Sequence, residues 1–320
     1  MSILIVGLGF VGLNLALYLK KKNFNIKVIV RKPRSSIRKY FIHIAKKYNI
    51  EIFEVDTLNR DNILKILKEY DIKYVINCVG ALRGSYEDLY TSNIKVPLEI
   101  ANSILESGRD IYLIHISTAY LSQTSKEVFE EDNYLDERFF KPKTNYEKTK
   151  YLCEKYLYEY SRRGLRLIIL RPVMMLGKYC YHDESNIFIY MLRRFKYIPI
   201  IDKGFNILDV ENFCYVVENV ISKVYNINFE FMYIPGTYYT LTEILEAFSN
   251  ALNIEPRYVK LPLISKILPI LTPSVVRPYL KYLDVKFMSK RLSKYVSIPR
   301  DDILKIANDQ VSFLRELRVL

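Results

Sequence analysis

A glycine triplet set directly behind an apolar run constrains this chain more than any other feature. Residues 2–6, Ser-Ile-Leu-Ile-Val, form a short hydrophobic run of the kind a strand buried on both faces shows, and Gly7-Leu8-Gly9-Phe10-Val11-Gly12 follows at once. A helix-like stretch over 11–22 comes next. In that order each glycine has its own physical role. Gly7 permits the tight turn, Gly9 lets backbone amides approach a pyrophosphate, and Gly12 lets helix pack close against strand. The phosphate would lie at the helix N-terminus, where free N–H groups and the helix dipole favour an anion. Strand, loop and helix in this sequence predict dinucleotide binding.

The second predicted strand, 26–30, ends at Arg31. A chain built for NAD would usually carry an acidic residue there to hold the ribose hydroxyls. Arg31, Lys32 and Arg34 stand there instead and invite an anion, for which the 2′-phosphate of NADP is the natural candidate. The plainer reading makes them solvated loop cations.

Tyr146-Glu147-Lys148-Thr149-Lys150 places a Tyr and a Lys four residues apart, on one face of any helix they share. A phenol titrates near ~10, and a neighbouring ammonium favours the phenolate, which makes the pair a tunable proton donor. With 28 tyrosines in the chain the spacing alone is weak, and its position downstream of the nucleotide loop gives it weight.

Composition fits one enzyme-sized chain: 320 residues, 50% hydrophobic, suffice for a large core and a smaller lobe. The net charge of +13, from 48 basic and 35 acidic residues, attracts anions, yet the cations are spread along the chain and match no nucleic-acid module. Cys78, Cys153, Cys180 and Cys214 form no CxxC, so neither zinc nor a disulfide framework is indicated and a reducing cytoplasm fits best. His43, His115 and His182 show no ligand spacing, and His115, inside an apolar run, reads as a core residue. A strand from residue 2 leaves no room for a targeting peptide, and no apolar run has membrane-spanning length.

Strands are expected at 2–6, 26–30, 51–55, 74–79, 111–116 and 167–170. Helices alternate with them near 36–48, 59–70, 86–107 and 143–163. This alternation predicts an α/β fold: a doubly wound parallel Rossmann sheet over 1–171 with a smaller, mostly helical C-terminal substrate lobe over 172–320. A returning strand near 229–235 would join the main sheet, followed by a helix opened by a Thr240/Glu243 capping box. Ligands bind beyond the carboxyl ends of such strands, which points to residues 7–12, Arg31, Asp56, 79–81, Ser117 and Thr118.

In these positions the chain resembles the extended, or atypical, short-chain dehydrogenase/reductases of the NAD(P)-dependent epimerase/dehydratase family. The resemblance covers about residues 1–250. It rests on residues 7–12, on Asp56 with Leu58, on 75–81, on Asn93, on 115–120, on Asn145-Tyr146 through Lys150 with Glu154, and on Arg171-Pro172. The glycine loop is the shorter form found in atypical relatives. The resemblance implies an NAD(P)-dependent oxidoreductase, epimerase or dehydratase. Tyr146 would be the general acid/base, Lys150 would lower its pKa and hold the nicotinamide ribose, and Thr118 or Ser117 would bind the substrate oxygen. Asn93 would support a water or backbone group near Lys150. Gly7, Gly9, Phe10, Val11, Gly12, Arg31, Asp56, Leu58, Gly80 and Ala81 would hold the coenzyme, with Asp56 and Leu58 at the adenine. It further implies a small-molecule substrate, a nucleotide sugar, with Arg193 and Arg194 on its diphosphate; surface cations on a helix are the equal alternative for those two.

The acidic stretch between Tyr120 and Thr144 reads either as a loop over the site or as a solvated charge run. The apolar, proline-broken tail over 261–273, with Lys281, Lys286, Lys290, Arg291 and Lys294 beyond it, reads as a substrate lid or homodimer contact. A peripheral membrane surface is the sharper alternative. Two other functions stay open: reduction of a lipid or isoprenoid carbonyl or alcohol, and a non-catalytic coenzyme-binding sensor or assembly subunit.

Overall fold

A computed structural model describes residues 2–121, 140–195, 197–260 and 282–320 with their side chains, Phe195 excepted, together with the backbone of 128–129 and 195. Seven parallel strands form the central sheet: β1 (Ser2–Val6), β2 (Asn25–Val30), β3 (Glu51–Glu54), β4 (Ile72–Asn77), β5 (Tyr112–Ile116), β6 (Arg166–Pro172) and β7 (Phe229–Ile234). Their spatial order is β7-β6-β5-β4-β1-β2-β3. β1, β5 and β6 are apolar and buried almost end to end, as strands covered on both faces must be. Helices α1 (Phe10–Lys21), α2 (Ser36–Lys47) and α3 (Arg60–Glu69) supply part of that cover, and the core divides into two large apolar clusters, one on each face.

The chain reverses direction across the sheet between β1 and β4, and the registers Val6↔Ile29, Val6↔Asn77 and Asn77↔His115 bring the carboxyl ends of four strands to one level. This crest is the switch point at which open α/β sheets bind ligands. The predicted returning strand is β7, paired with β6 from Phe229↔Leu167 to Ile234↔Pro172.

One sequence expectation needs correction. The single helix expected over 86–107 is three pieces: α4 (Tyr86–Tyr90), a π-helical turn over Thr91–Lys95, and α5 (Val96–Glu106). Local propensity carries no signal for the inserted residue of a π turn, and such turns concentrate at functional sites. The catalytic-candidate helix α6 (Asn145–Ser161) begins with a reciprocal capping box, Thr144 Oγ1 accepting from Glu147 N–H while Glu147 Oε2 accepts from Thr144 N–H at 3.1 Å.

Beyond β6 the chain builds a lobe. A three-stranded sheet joins Met174–Leu176, Gly204–Asp209 and Thr237–Thr240, and α7 (Ile187–Phe195), α8 (Val210–Lys223), α9 (Leu241–Leu252) and α10 (Ile303–Glu316) complete it. Thr240 and Glu243 form the expected capping box on α9. Asp301 fastens the C-terminal segment to the lobe by accepting from Asp209 N–H at 2.7 Å and from Thr237 Oγ1–H at 3.0 Å. Arg291 folds back onto β7, 2.7 Å from Glu230 and 4.2 Å from the Phe231 ring centroid. The apolar tail 261–273, Lys196, Lys281 and most of the acidic stretch lie outside the described residues. No helix among the described residues is long and apolar enough to cross a membrane.

Candidate active site

A cavity of about 660 Å³ runs along the crest of the sheet from the glycine loop to the N-terminal turns of α6 and the inner edge of the lobe. Its first end is built from Gly7 to Val11, Val30, Arg31, Pro33, Arg38, Ile42 and Thr57. Gly7 holds φ +98°, and a Cβ there would come within 2.9 Å of Val79 Cγ2. A Cβ on Gly12 would lie 2.0 Å from the Gly7 carbonyl oxygen, so helix and loop touch only because Gly12 has no side chain. Gly9 is different: a Cβ there would meet no atom of the described residues within 4 Å, which leaves its side of the loop open to a ligand. Gly9 also caps α1 without any side-chain acceptor for the first-turn N–H groups, and those donors suit an anion. Arg31 from the end of β2 and Arg38 from the first turn of α2 line the same end.

At the other end Tyr146 and Lys150 share the inner face of α6, opposite Ser117 and Thr118 at the end of β5. Lys150 is buried and donates to the Ile116 carbonyl at 3.0 Å. Its desolvation lowers its pKa, partly offset by Cys153, Glu154 and Cys78. Burial is also the main influence on Tyr146 and pushes its phenol up to about 12, opposed by a hydrogen bond to Thr118 and reinforced by the carboxylates of Glu147 and Glu184. The i, i+4 spacing thus places both side chains in one cavity, but burial and not the ammonium has the upper hand on the phenol. At neutral pH Tyr146 carries its proton.

Ser117 donates to Glu154, whose carboxylate forms a doubly bonded ion pair with Arg171, Nη2 to Oε2 2.6 Å and Nε to each oxygen 3.1 Å. Behind the site, Asn93 Oδ1 accepts from Ala81 N–H at 2.8 Å and its Nδ2 donates to the Ala81 carbonyl and to Thr149 Oγ1, each at 3.0 Å. His115 lies beneath it in the core, 0% exposed, 3.0 Å from Asn77 Nδ2 by its Nδ1; burial drives its pKa well below the usual imidazole value, so it stays neutral.

The lobe closes the cavity. Arg83, from the loop after β4, reaches across to Glu184 through Nε and to Asp183 Oδ2 at 3.1 Å through Nη1. Met174, Met175, Tyr181 and His182 line the wall beside this clasp. Because Glu184 raises the phenol pKa, Glu184→Gln removes a negative charge and so favours the phenolate, while Arg83 keeps its pairing with Asp183. The limb of the rate profile governed by Tyr146 should move to lower pH in that variant. An unshifted profile would separate Glu184 electrostatically from the phenol.

Of the residues named from sequence, Gly7, Gly9, Phe10, Val11, Arg31, Gly80, Ala81, Ser117, Thr118, Tyr146 and Lys150 line this cavity, while Gly12 and Asn93 support it from behind. Asp56 and Leu58 do not line it. They close a local turn, Leu58 N–H donating to Asp56 Oδ1 at 3.0 Å, and the residue between them, buried Thr57, faces the cavity instead. Arg193 and Arg194 are exposed at the C-terminal end of α7, because Ile187, Phe188, Ile189 and Leu192 turn the other face of that helix inward. Lys32 and Arg34 are exposed and do not line the cavity either. Arg38 was missed, although a cation two residues into the helix after a nucleotide-binding β2 was a readable signal. Arg83 and Glu184 carried no signal, being 101 residues apart.

A family model described as the NAD dependent epimerase/dehydratase family matches residues 3–216. No curated protein matches the chain. Among solved structures, the chain is similar to a UDP-glucuronic acid 4-epimerase from Bacillus cereus in complex with NAD, with TM-score 0.76, 18% identity, and 99% of this chain and 97% of that chain covered. A UDP-glucose-4-epimerase from Stenotrophomonas maltophila, with bound NAD and formylated UDP-arabinopyranose, gives TM-score 0.76 at 13% identity, covering 100% and 99%. The Bordetella bronchiseptica enzyme WbmH in complex with NAD+ gives 0.74 at 14% identity, covering 98% of each chain.

Proposed function

Because the chain belongs to the NAD dependent epimerase/dehydratase family, we propose that it is an NAD(P)-dependent enzyme that interconverts a hydroxyl and a carbonyl on a nucleotide sugar. The observation that carries this reading is the continuity of one cavity, with the glycine loop at one end and Thr118, Tyr146 and Lys150 at the other. The fit to a dinucleotide is supported by the open face of Gly9, the uncapped start of α1 and the buried Thr57 Oγ1, which has no hydrogen-bond partner among the described residues. A nicotinamide dinucleotide bound there supplies an acceptor and donor of hydride. The protein's share is proton transfer and orientation. Tyr146 gives its proton to a substrate carbonyl oxygen as that carbon is reduced, and the phenolate so formed takes the proton back from the hydroxyl when the carbon is oxidised. Thr118 holds the substrate oxygen near the phenol, Ser117 being committed through its O–H to Glu154, and Lys150 places a cation under the same face of α6. Proteins of the same whole-chain fold have been solved in complex with NAD and a UDP-sugar, which supports a nucleotide sugar as substrate.

Arg31 and Arg38 at the adenosine end support NADP over NAD. A charge-assisted hydrogen bond contributes roughly 1.5–3 kcal/mol, so a 2′-phosphate held by Arg31 should favour NADPH over NADH by about tenfold or more. The preference should shrink with salt, since both guanidinium groups are exposed. Arg31→Asp should narrow or reverse the ratio while leaving NADH binding largely intact. Fluorescence titration of both coenzymes decides it: equal dissociation constants in the wild type would turn Arg31 and Arg38 into solvated cations. The catalytic reading is tested by product formation from nucleotide sugars with coenzyme-saturated protein. Intact coenzyme binding without any product would favour the sensor or assembly subunit.

A further inference from the structure

Thr149 stands between Tyr146 and Lys150 in sequence, is 0% exposed, and touches neither end of the cavity directly. Its hydroxyl has two partners. It donates to the Tyr146 carbonyl at 3.0 Å and accepts from Asn93 Nδ2 at 3.0 Å. The second Nδ2 hydrogen of Asn93 goes to the Ala81 carbonyl at 3.0 Å, and Asn93 Oδ1 takes the Ala81 N–H at 2.8 Å. Both donors of the amide are therefore committed, one to α6 and one to the Gly80–Ala81 turn.

The π turn makes this reach possible. Val96 N–H bonds the Thr91 carbonyl across the extra residue, and the insertion shifts the facing of Asn93 by about 100° relative to an uninterrupted helix. Ser92 consequently lines the cavity while Asn93 is buried behind it. Gly80 then sits tight against the pair: a Cβ there would lie 3.4 Å from Lys150 Nζ and 3.5 Å from Asn93 Oδ1.

We infer that Thr149 is a positioning residue that locks the coenzyme-facing Gly80–Ala81 turn to the helix carrying Tyr146, so that a single buried hydroxyl fixes the spacing between the coenzyme and the proton donor. The inference rests on the coenzyme reading above. Thr149→Val keeps the volume and removes only the hydroxyl, leaving one buried N–H of Asn93 unsatisfied. Coenzyme dissociation constants should rise by about tenfold, and turnover at saturating coenzyme should fall as well, because the turn and Tyr146 lose their common tie. Thr149→Ser, which keeps Oγ, should restore both. Should Thr149→Val fail to fold, Thr149→Ala removes the same hydroxyl without a branched side chain and should show the same weakening of about tenfold. Wild-type affinity in Thr149→Val or in Thr149→Ala, or a Thr149→Ser variant as impaired as the variant without the hydroxyl, would overturn the inference. A wild-type protein that binds no nicotinamide dinucleotide would overturn the coenzyme reading and this inference together, whereas normal wild-type binding with an unaffected Thr149→Val sinks this inference alone.

Discussion

Tyr146→Phe should lose turnover on the order of 10²-fold or more while binding coenzyme nearly as well as the wild type. The substitution removes one oxygen at the Thr118 end of the cavity and leaves the glycine loop, Arg31, Arg38 and the Asn93–Ala81 tie in place. The phenol is suited to be the acid because burial holds its pKa at about 12 and keeps the proton on oxygen at neutral pH, while the Thr118 hydroxyl fixes its direction. Phenylalanine preserves the ring, so any loss belongs to proton transfer and not to packing. The two quantities to measure are turnover with a converted substrate and the coenzyme dissociation constant. Equal turnover in mutant and wild type would remove Tyr146 from the mechanism, and a parallel loss of coenzyme affinity would make it a structural contact.

The largest stability effect should come from beneath the site. Arg171 and Glu154 are 1% and 0% exposed as side chains, and the guanidinium carbon lies 5.2 Å from the Phe231 ring centroid, 5.4 Å from Phe140 and 5.5 Å from Tyr233. Arg171→Met removes the cation and leaves the carboxylate buried without its counter-charge, a change that costs about 3–5 kcal/mol. Glu154→Gln combined with Arg171→Met removes both charges and should recover much of that loss, since an ion pair taken out of water gains little over a neutral pair of similar volume. Denaturant unfolding of both single variants and the double variant gives the coupling directly. Additive losses would mean that the two residues do not act as a pair. Ser117 donates to the same carboxylate, so Arg171→Met should also reduce activity in the fraction that remains folded.

Features encoded by neighbouring residues were legible in the sequence. The β1 run, the glycine loop and the start of α1 depend on sterics within a dozen residues, and the structure has each where the spacing put it. Tyr146 and Lys150 were legible because a helix fixes the relation of positions four apart. The carboxyl ends of the strands led to Arg31, Gly80, Ala81, Ser117 and Thr118, which do converge on one cavity. What escaped depends on distance or on a small local irregularity. The Arg83 to Glu184 clasp joins elements brought together only by the folded lobe. The π turn that directs Asn93 inward is one residue inserted in a run that reads as ordinary helix. Arg193 and Arg194 were legible either as the diphosphate contacts that the family resemblance implies or as surface cations on a helix, and the apolar face of α7 leaves both exposed. At the adenosine end, Thr57 faces the cavity between Asp56 and Leu58, since the short turn that these two close reverses the facing expected of them.

Coupling of hydride transfer to proton transfer on a nucleotide sugar is tested most directly by a single competition. Coenzyme-saturated protein is incubated with nucleotide hexoses, prenyl alcohols and acyl alcohols together, and the mixture is resolved by mass spectrometry and proton NMR. The expected result is a changed nucleotide sugar, epimerised, dehydrated or carrying a new carbonyl, that is missing when Tyr146→Phe replaces the wild type, with the prenyl and acyl alcohols untouched. Oxidation of a prenyl or acyl alcohol with every nucleotide sugar unchanged would contradict it.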